Sequence, residues 1–194
     1  VYTCLAAQSV GRTGRVVSFE PVRDNLDLLR ESVELNQPAT EVVDVVEAAA
    51  GPDESTVRIF LDADNSGTHS IGGTGEEYVD VRQTTIDTVV DELDLDRIDL
   101  VKVDVEGYEP GVLAGADRSL RRFTPMLLCE FDAEMIRATG GNPDQFASML
   151  RAYGEVFEID ERSGEMVPIE ATSIADLHNS NVVVVPAGRE VARS

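Results

Sequence analysis

The chain has 194 residues, 42% of them hydrophobic and only 5% aromatic with no Trp, so one domain with an aliphatic core of Val, Leu, Ile and Ala is expected. Thirty-seven acids against sixteen bases leave a net charge of −21, a surface that repels nucleic acid and anionic membranes. No apolar run approaches the roughly 20 residues that span a bilayer, and Val1 to Val10 lacks the basic start and long apolar centre of a secretory signal.

Cys4 and Cys129 are far apart and form neither a disulfide framework nor a metal-spaced pair, so a reducing, cytoplasmic setting is expected. The acids are spread along the chain and Lys102 is the only lysine. An even acidic surface of this kind is either a face for a basic partner or the surface of a halophilic protein, where salt screens the repulsion. The second reading is preferred. The chain does not open on Met, and Val1 falls inside an apolar helical pattern with Leu5, Ala6 and Val10, so an amino-terminal truncation is expected.

In chain order, residues 2–10 read as a helix stopped by a turn at Gly11 to Gly14. Arg15 to Glu20 is a strand closed by Pro21, and residues 22–36 are a helix with Leu26, Leu29 and Val33 on one face. Val42 to Val46 is a second strand running on to Glu47, Ala48, Ala49 and Ala50 before a Gly51-Pro52 turn. Ser55 to Leu61 and Tyr78 to Gln83 alternate as strands around a tip, 62–77, rich in Gly, Ser, Thr and Asp. Ile86 to Leu93 is a helix capped by Thr85 or Thr84.

The most informative stretch follows, Asp99-Leu-Val-Lys-Val-Asp-Val-Glu-Gly-Tyr-Glu109. Its valines build a strand, and Lys102, Asp104 and Glu106 alternate with them onto one face. Charges at the carboxyl end of a parallel strand sit where open α/β sheets bind ligands, although a solvated strand face would look the same. A helix from about Glu109 to Arg122, a strand at Pro125 to Phe131 and a helix from Asn142 or Pro143 to near Tyr153 come next. Strands at Glu155 to Asp160 and Asn181 to Val185 end the pattern, with a loop-like 161–180 between them. Alternating strands and helices predict a mostly parallel sheet, with the last pair antiparallel.

Glu20 ends its strand, where an acid can accept hydrogen bonds from both hydroxyls of a ribose or simply cap the next helix. Glu20, Glu47-Ala-Ala and Asp104-Val-Glu106 are expected to line one edge of the sheet.

Phe19-Glu20-Pro21, Glu47 to Gly51, Gln83-Thr-Thr-Ile-Asp87, Lys102-Val-Asp-Val-Glu-Gly-Tyr-Glu109 and Met126-Leu-Leu-Cys-Glu-Phe131 resemble the FkbM family of S-adenosylmethionine-dependent methyltransferases. The resemblance runs over about residues 1–160. It implies an α/β fold, a Rossmann-like class I methyltransferase sheet with an antiparallel last strand, and S-adenosyl-L-methionine as cofactor. It also implies methyl transfer to a hydroxyl oxygen of a sugar, polyketide or related small molecule. By position, Glu20 looks like the acid that holds the ribose of the donor. Ala48 and Ala49 look like the loop beside the adenine. Asp104 and Glu106 look like the strand-end acids between donor and acceptor, and are the candidate catalytic bases. Glu109 matches a family acid without an assigned role.

The family's first strand and its glycine-rich Asp-x-Gly-x-Asn-x-Gly loop would precede Val1. The strands at 15–20 and 99–105 are therefore expected either to pair directly or to flank a gap. Among other groups, His69 and His178 read as solvated or structural. Gly72 to Gly75 reads as a hairpin tip and not a phosphate loop, because strand, helix and lysine are all missing around it. No metal is expected. Two rivals stay open: an NAD-binding oxidoreductase, for which Glu20 would serve equally well, and a methyltransferase-like domain without donor binding.

Overall fold

Short Val-rich segments set between amphipathic helices give the mixed α/β architecture expected of this pattern. The computed structural model describes residues 2–36, 39–61, 71, 77–160, 162–169 and 174–189. The first half contains α1 (Tyr2–Val10), β1 (Val16–Phe19), α2 (Arg23–Leu35), α3 (Ala39–Val42), β2 (Val43–Val46), β3 (Ala49–Ala50), β4 (Ser55–Phe60), β5 (Tyr78–Thr84) and α4 (Ile86–Glu92). The second contains β6 (Leu100–Val103), α5 (Glu109–Ala114), α6 (Asp117–Phe123), β7 (Met126–Phe131), α7 (Ala133–Ala138), α8 (Pro143–Tyr153), β8 (Gly154–Ile159), β9 (Met166–Pro168) and β10 (Ser180–Pro186). Among the described residues no helix is long and apolar enough to cross a membrane.

The single sheet expected from the sequence is instead divided into three among the described residues. β1 and β2 pair in parallel, β3-β5-β4 form a small mixed sheet, and the largest runs β6-β7-β10-β8-β9. β6 and β7 are parallel, whereas β10 lies between β7 and β8 and is antiparallel to both. That agrees with the expected antiparallel last strand. β1 and β6 do not pair, so of the two expected arrangements the gap is the one adopted. Side chains span it instead of a ladder. The Lys102 ammonium sits 4.1 Å from the centre of the Tyr2 ring. Arg15 donates to the Leu93 carbonyl at 2.9 Å.

The expected helix over 109–122 is split into α5 and α6. Gly115 packs directly on the Gly51 carbonyl, where a Cβ has no room. Its own carbonyl accepts from the Asp87 N–H at 3.0 Å. Asp87 then seals the start of α6, accepting from the N–H of Arg118 (3.1 Å) and of Ser119 (2.8 Å) and from the Ser119 hydroxyl. Thr85 caps α4 by accepting from Thr88 N–H at 2.9 Å. Thr85 and Asp87 thus cap α4 and lock it to the start of α6.

Three elements, α3, α7 and β9, fall where no period was read. α7 needs little apolar pattern because Asp132 caps it strongly, accepting from Glu134 N–H (2.8 Å) and Met135 N–H (2.9 Å). The main core lies under the five-stranded sheet, around Val103, Leu113, Leu127, Phe131, Phe146, Leu150 and Val182. Phe131 and Phe146 stack with ring centres 5.3 Å apart.

Candidate functional site

The candidate residues fall into two groups carried by different sheets. The first is the turn after β6. Asp104 follows the last strand residue, stays exposed, and pairs with the Lys102 ammonium two residues back. Glu106 then takes a left-handed backbone conformation, φ +51°, and Gly107 follows at φ +92°. For Gly107 the geometry requires glycine, since a Cβ would run into the backbone carbonyl of Met135. For Glu106 the same conformation is a strain that the surroundings must sustain.

Three anchors hold this turn. Beneath it, Glu109 is 1% exposed and its Oε1 accepts from the N–H of Val105 (3.0 Å) and of Gly107 (3.2 Å). From α7, the Thr139 hydroxyl donates to the Gly107 carbonyl at 2.7 Å. From the side, the Tyr108 hydroxyl donates to Gln83 Oε1 at 3.1 Å. Gln83 is buried, and its amide nitrogen donates to Asp53 and Ser55. Gln83 stood in the sequence only as part of the Gln83 to Asp87 stretch, and Thr139 went unnoticed because it is a lone polar residue with no spacing to mark it.

The turn gathers acids. Burial, then Asp104 and Asp132, push the Glu106 carboxyl above the usual carboxylate range. Glu130, on β7, is pushed up to about 7 by burial and by Asp104, Glu106, Glu109 and Asp132. Burial also raises Glu109, against the backbone N–H groups it accepts from. Asp132 is committed to structure, since its second oxygen accepts from Asn179 N–H at 3.0 Å. Among the described residues no group of three or more His, Cys, Asp or Glu is arranged to hold a metal ion.

The second group sits at the carboxyl end of the β1–β2 pair. Phe19 and Val46 are in register, so Glu20 and Glu47 leave the ladder side by side. Glu20 N–H donates to the Val46 carbonyl at 3.1 Å. The Glu20 side chain accepts from Val22 N–H at 2.9 Å, at the mouth of α2. Glu47 is taken up by ion pairs with Arg30 (3.1 Å) and Arg23 (3.6 Å). Ala48 and Ala49 turn their methyl groups into the core, the latter beside Val22, Ile59 and Val81.

The strand ladders unite Glu20 with Ala48, and the β6 turn unites Asp104 with Glu106, but no ladder joins the two groups among the described residues. Two surface depressions lie away from both. One, of about 330 Å³, is lined by Glu158, Asp160, Val167 and Asn181. The other, of about 440 Å³, is lined by Thr13, Arg15, Glu41 and Asp44. His178 is exposed and contributes its carbonyl to Ser180. His69 and Gly72 to Gly75 lie outside the described residues.

Residues 1–157 match the Methyltransferase FkbM domain, a span that contains both groups. The chain belongs to the FkbM methyltransferase family. The family covers Glu20, Ala48, Ala49, Asp104, Glu106 and Glu109, and leaves β9 and β10 beyond it. One curated relative is the AMB antimetabolite synthetase AmbE of Pseudomonas aeruginosa, 34% identical over 86 residues. That match covers 44% of this chain and 4% of the relative, so the chain spans only a small part of that protein's length. Among solved structures, one match is the methyltransferase FkbM from Methylobacillus flagellatus KT, with a TM-score of 0.48 and 19% identity, covering 88% of this chain and 36% of that one.

Proposed function

We infer that the chain is the methyltransferase domain of an S-adenosylmethionine-dependent enzyme that methylates a hydroxyl oxygen of a sugar or other small molecule. The observation that carries this reading is the family match over 1–157, which includes the ends of both β1 and β6.

The residues of the β1–β2 end fit the ribose of the donor. A carboxylate stands at the strand end with one oxygen already satisfied by Val22 N–H, as a rigidly oriented acceptor should. Ala48 and Ala49 follow the neighbouring strand end and carry no side chain larger than a methyl group there. Glu20 would hold the ribose hydroxyls, and the backbone of Ala48 and Ala49 would border the adenine. The bound donor supplies an electrophilic methyl group on a sulfonium.

What remains for the chain is to orient the acceptor and take its proton. Of the two strand-end acids, Glu106 suits the base. Its carboxyl is raised by burial and neighbouring acids, whereas Asp104 is held in an ion pair with the Lys102 ammonium. Asp104 serves instead as a fixed acceptor for an acceptor hydroxyl or for the polar tail of the donor. The net charge of −21 favours uncharged small acceptors in a cytoplasmic setting over nucleic acid or a membrane. An NAD oxidoreductase is disfavoured by the family match.

A second reading, a domain of this family that does not hold the donor, is favoured by one observation: no ladder joins β1 to β6, so donor-side and acceptor-side residues sit on separate sheets. Titrating the 194-residue chain with S-adenosylmethionine in high salt separates the two. The methyltransferase reading expects saturable binding, weakened about tenfold or more by Glu20→Ala, the effect of losing a charged hydrogen-bond acceptor. Absence of heat or thermal protection up to millimolar donor sinks it.

A further inference from the structure

The feature that the proposed mechanism leaves unused is Glu109. A carboxylic acid in the first turn of α5 ordinarily faces water, yet this one is 1% exposed. One oxygen is spent on two backbone N–H groups of the preceding turn, Val105 and Gly107. The other oxygen is buried without a hydrogen-bond partner among the described residues. An interior carboxylate with an unpartnered oxygen is costly, and an apolar residue there would avoid that cost. The two N–H groups it satisfies flank Glu106, the non-glycine residue of the turn at φ +51°. A left-handed conformation is strained for a residue with a Cβ, so Glu106 adopts it only where something on either side holds it.

We propose that Glu109 is a positioning residue: by accepting from the N–H groups on both sides of Glu106, its buried carboxylate fixes the left-handed turn that sets the Glu106 carboxylate beside Asp104 and Asp132. Thr139 and Tyr108 restrain the same turn at Gly107 and Tyr108, but neither touches the backbone N–H groups that flank Glu106. The inference rests on the proposed reading of Glu106 as the base. Its geometry, however, can be tested without donor or acceptor.

The experiment follows glutamate side-chain carboxyl groups by carbon-13 NMR over pH in the full chain and in Glu109→Asp and Glu109→Gln. Groups facing Glu106 are Asp104 and Asp132, and Glu130 feels it in turn. Because Glu109→Asp retains a carboxylate, movement of the Glu106 titration in that variant reports a change of position and not a lost charge. Glu109→Asp keeps the charge but falls one methylene short of the two N–H groups. It should release the turn and move the Glu106 titration toward the ordinary value by about half a pH unit or more, with the fold retained. Glu109→Gln keeps an acceptor oxygen in place and should leave Glu106 where it is. A folded Glu109→Asp chain with an unmoved Glu106 titration overturns the proposal. So does the same shift in both variants. Should neither variant fold, amide exchange in the unaltered chain decides: protection at Val105 and Gly107 supports the clamp, and free exchange there overturns it. Failure of S-adenosylmethionine binding would count against the proposed function alone, since none of these readouts uses the donor.

Discussion

The β1–β2 pair and the five-stranded sheet carry the two halves of the candidate site, and they are anchored very differently. In β10, residues Val182 to Val185 are all buried, and β7 alternates buried and half-buried positions along its length. In β1 and β2 every residue is only half-buried. The small cluster around Ala7, Val33 and Val42 ties them to α1 and α2. Buried apolar area supplies most of the cohesion of a fold, so the turn bearing Asp104 and Glu106 rides on the firm part of the molecule and Glu20 on the thin part. Local opening free energies follow such differences, and a ligand that gripped both groups would gain most by steadying the β1–β2 side.

Two truncations test this contrast directly. Phe131→Ala removes a fully buried ring stacked on Phe146 and should cost about 3–5 kcal/mol of global stability, read by chemical denaturation. Val33→Ala removes two methyl groups from the small cluster and should cost about 1–2 kcal/mol. It should do so chiefly as faster amide exchange in β1 and β2, with the main transition little moved. Equal lowering of the main transition by both would break the distinction between firm and thin halves.

Next in size is Asp87→Ala, which probes the lock between α4 and α6 on the firm side. It strips the acceptor from two backbone N–H groups and from the Ser119 hydroxyl, on a residue only 2% exposed. A loss of about 1–2 kcal/mol is expected, with amide protection lost at Arg118 and Ser119. Unchanged protection there would show that α6 is held by its apolar face alone.

What the sequence disclosed follows the same physics. Strands with strong valine runs or strict alternation, such as β6, β7, β10 and the β4–β5 hairpin, lie within a residue or two of their expected bounds. Helix starts marked by a side-chain cap, Thr85 and Asn142, were legible for the same reason. The break at Gly115 was not, because it depends on contact with Gly51, more than sixty residues earlier in the chain. Nor was the division of the sheet, because strand pairing is a long-range property that periodicity does not encode. At the site, the acids Glu20, Asp104 and Glu106 stood out by their place at strand ends. Their partners did not: whether Glu20 caps α2, or Glu109 lies buried under the turn, depends on backbone N–H groups that no residue pattern reveals.

The smallest expected effect concerns pH and again separates the halves. Glu130 belongs to the firm side, and its carboxyl is pushed up to about 7 from an ordinary 4.5. A carboxyl raised in the folded state binds its proton more tightly there than in the unfolded chain. Its contribution is therefore most favourable at low pH, is lost as pH rises from about 4.5 to about 7, and is constant above. Glu106 and Glu109 are raised too and act in the same direction. The carboxyls of Glu54, Asp80, Asp117 and Asp160 are lowered and lose their contribution only below the ordinary carboxylate range, so they do not oppose it in this window. Because Glu130 is only partly buried, solvent screening keeps the effect small: the melting temperature should fall by about 1–2 °C between pH 5.5 and 7.5. Glu130→Gln should flatten that slope. About 1 M salt should reduce the part due to neighbouring acids and leave the part due to burial. A slope that Glu130→Gln leaves intact would assign the dependence to other groups, and a slope abolished by salt would assign it to the acid cluster and not to the packing that distinguishes this half of the molecule.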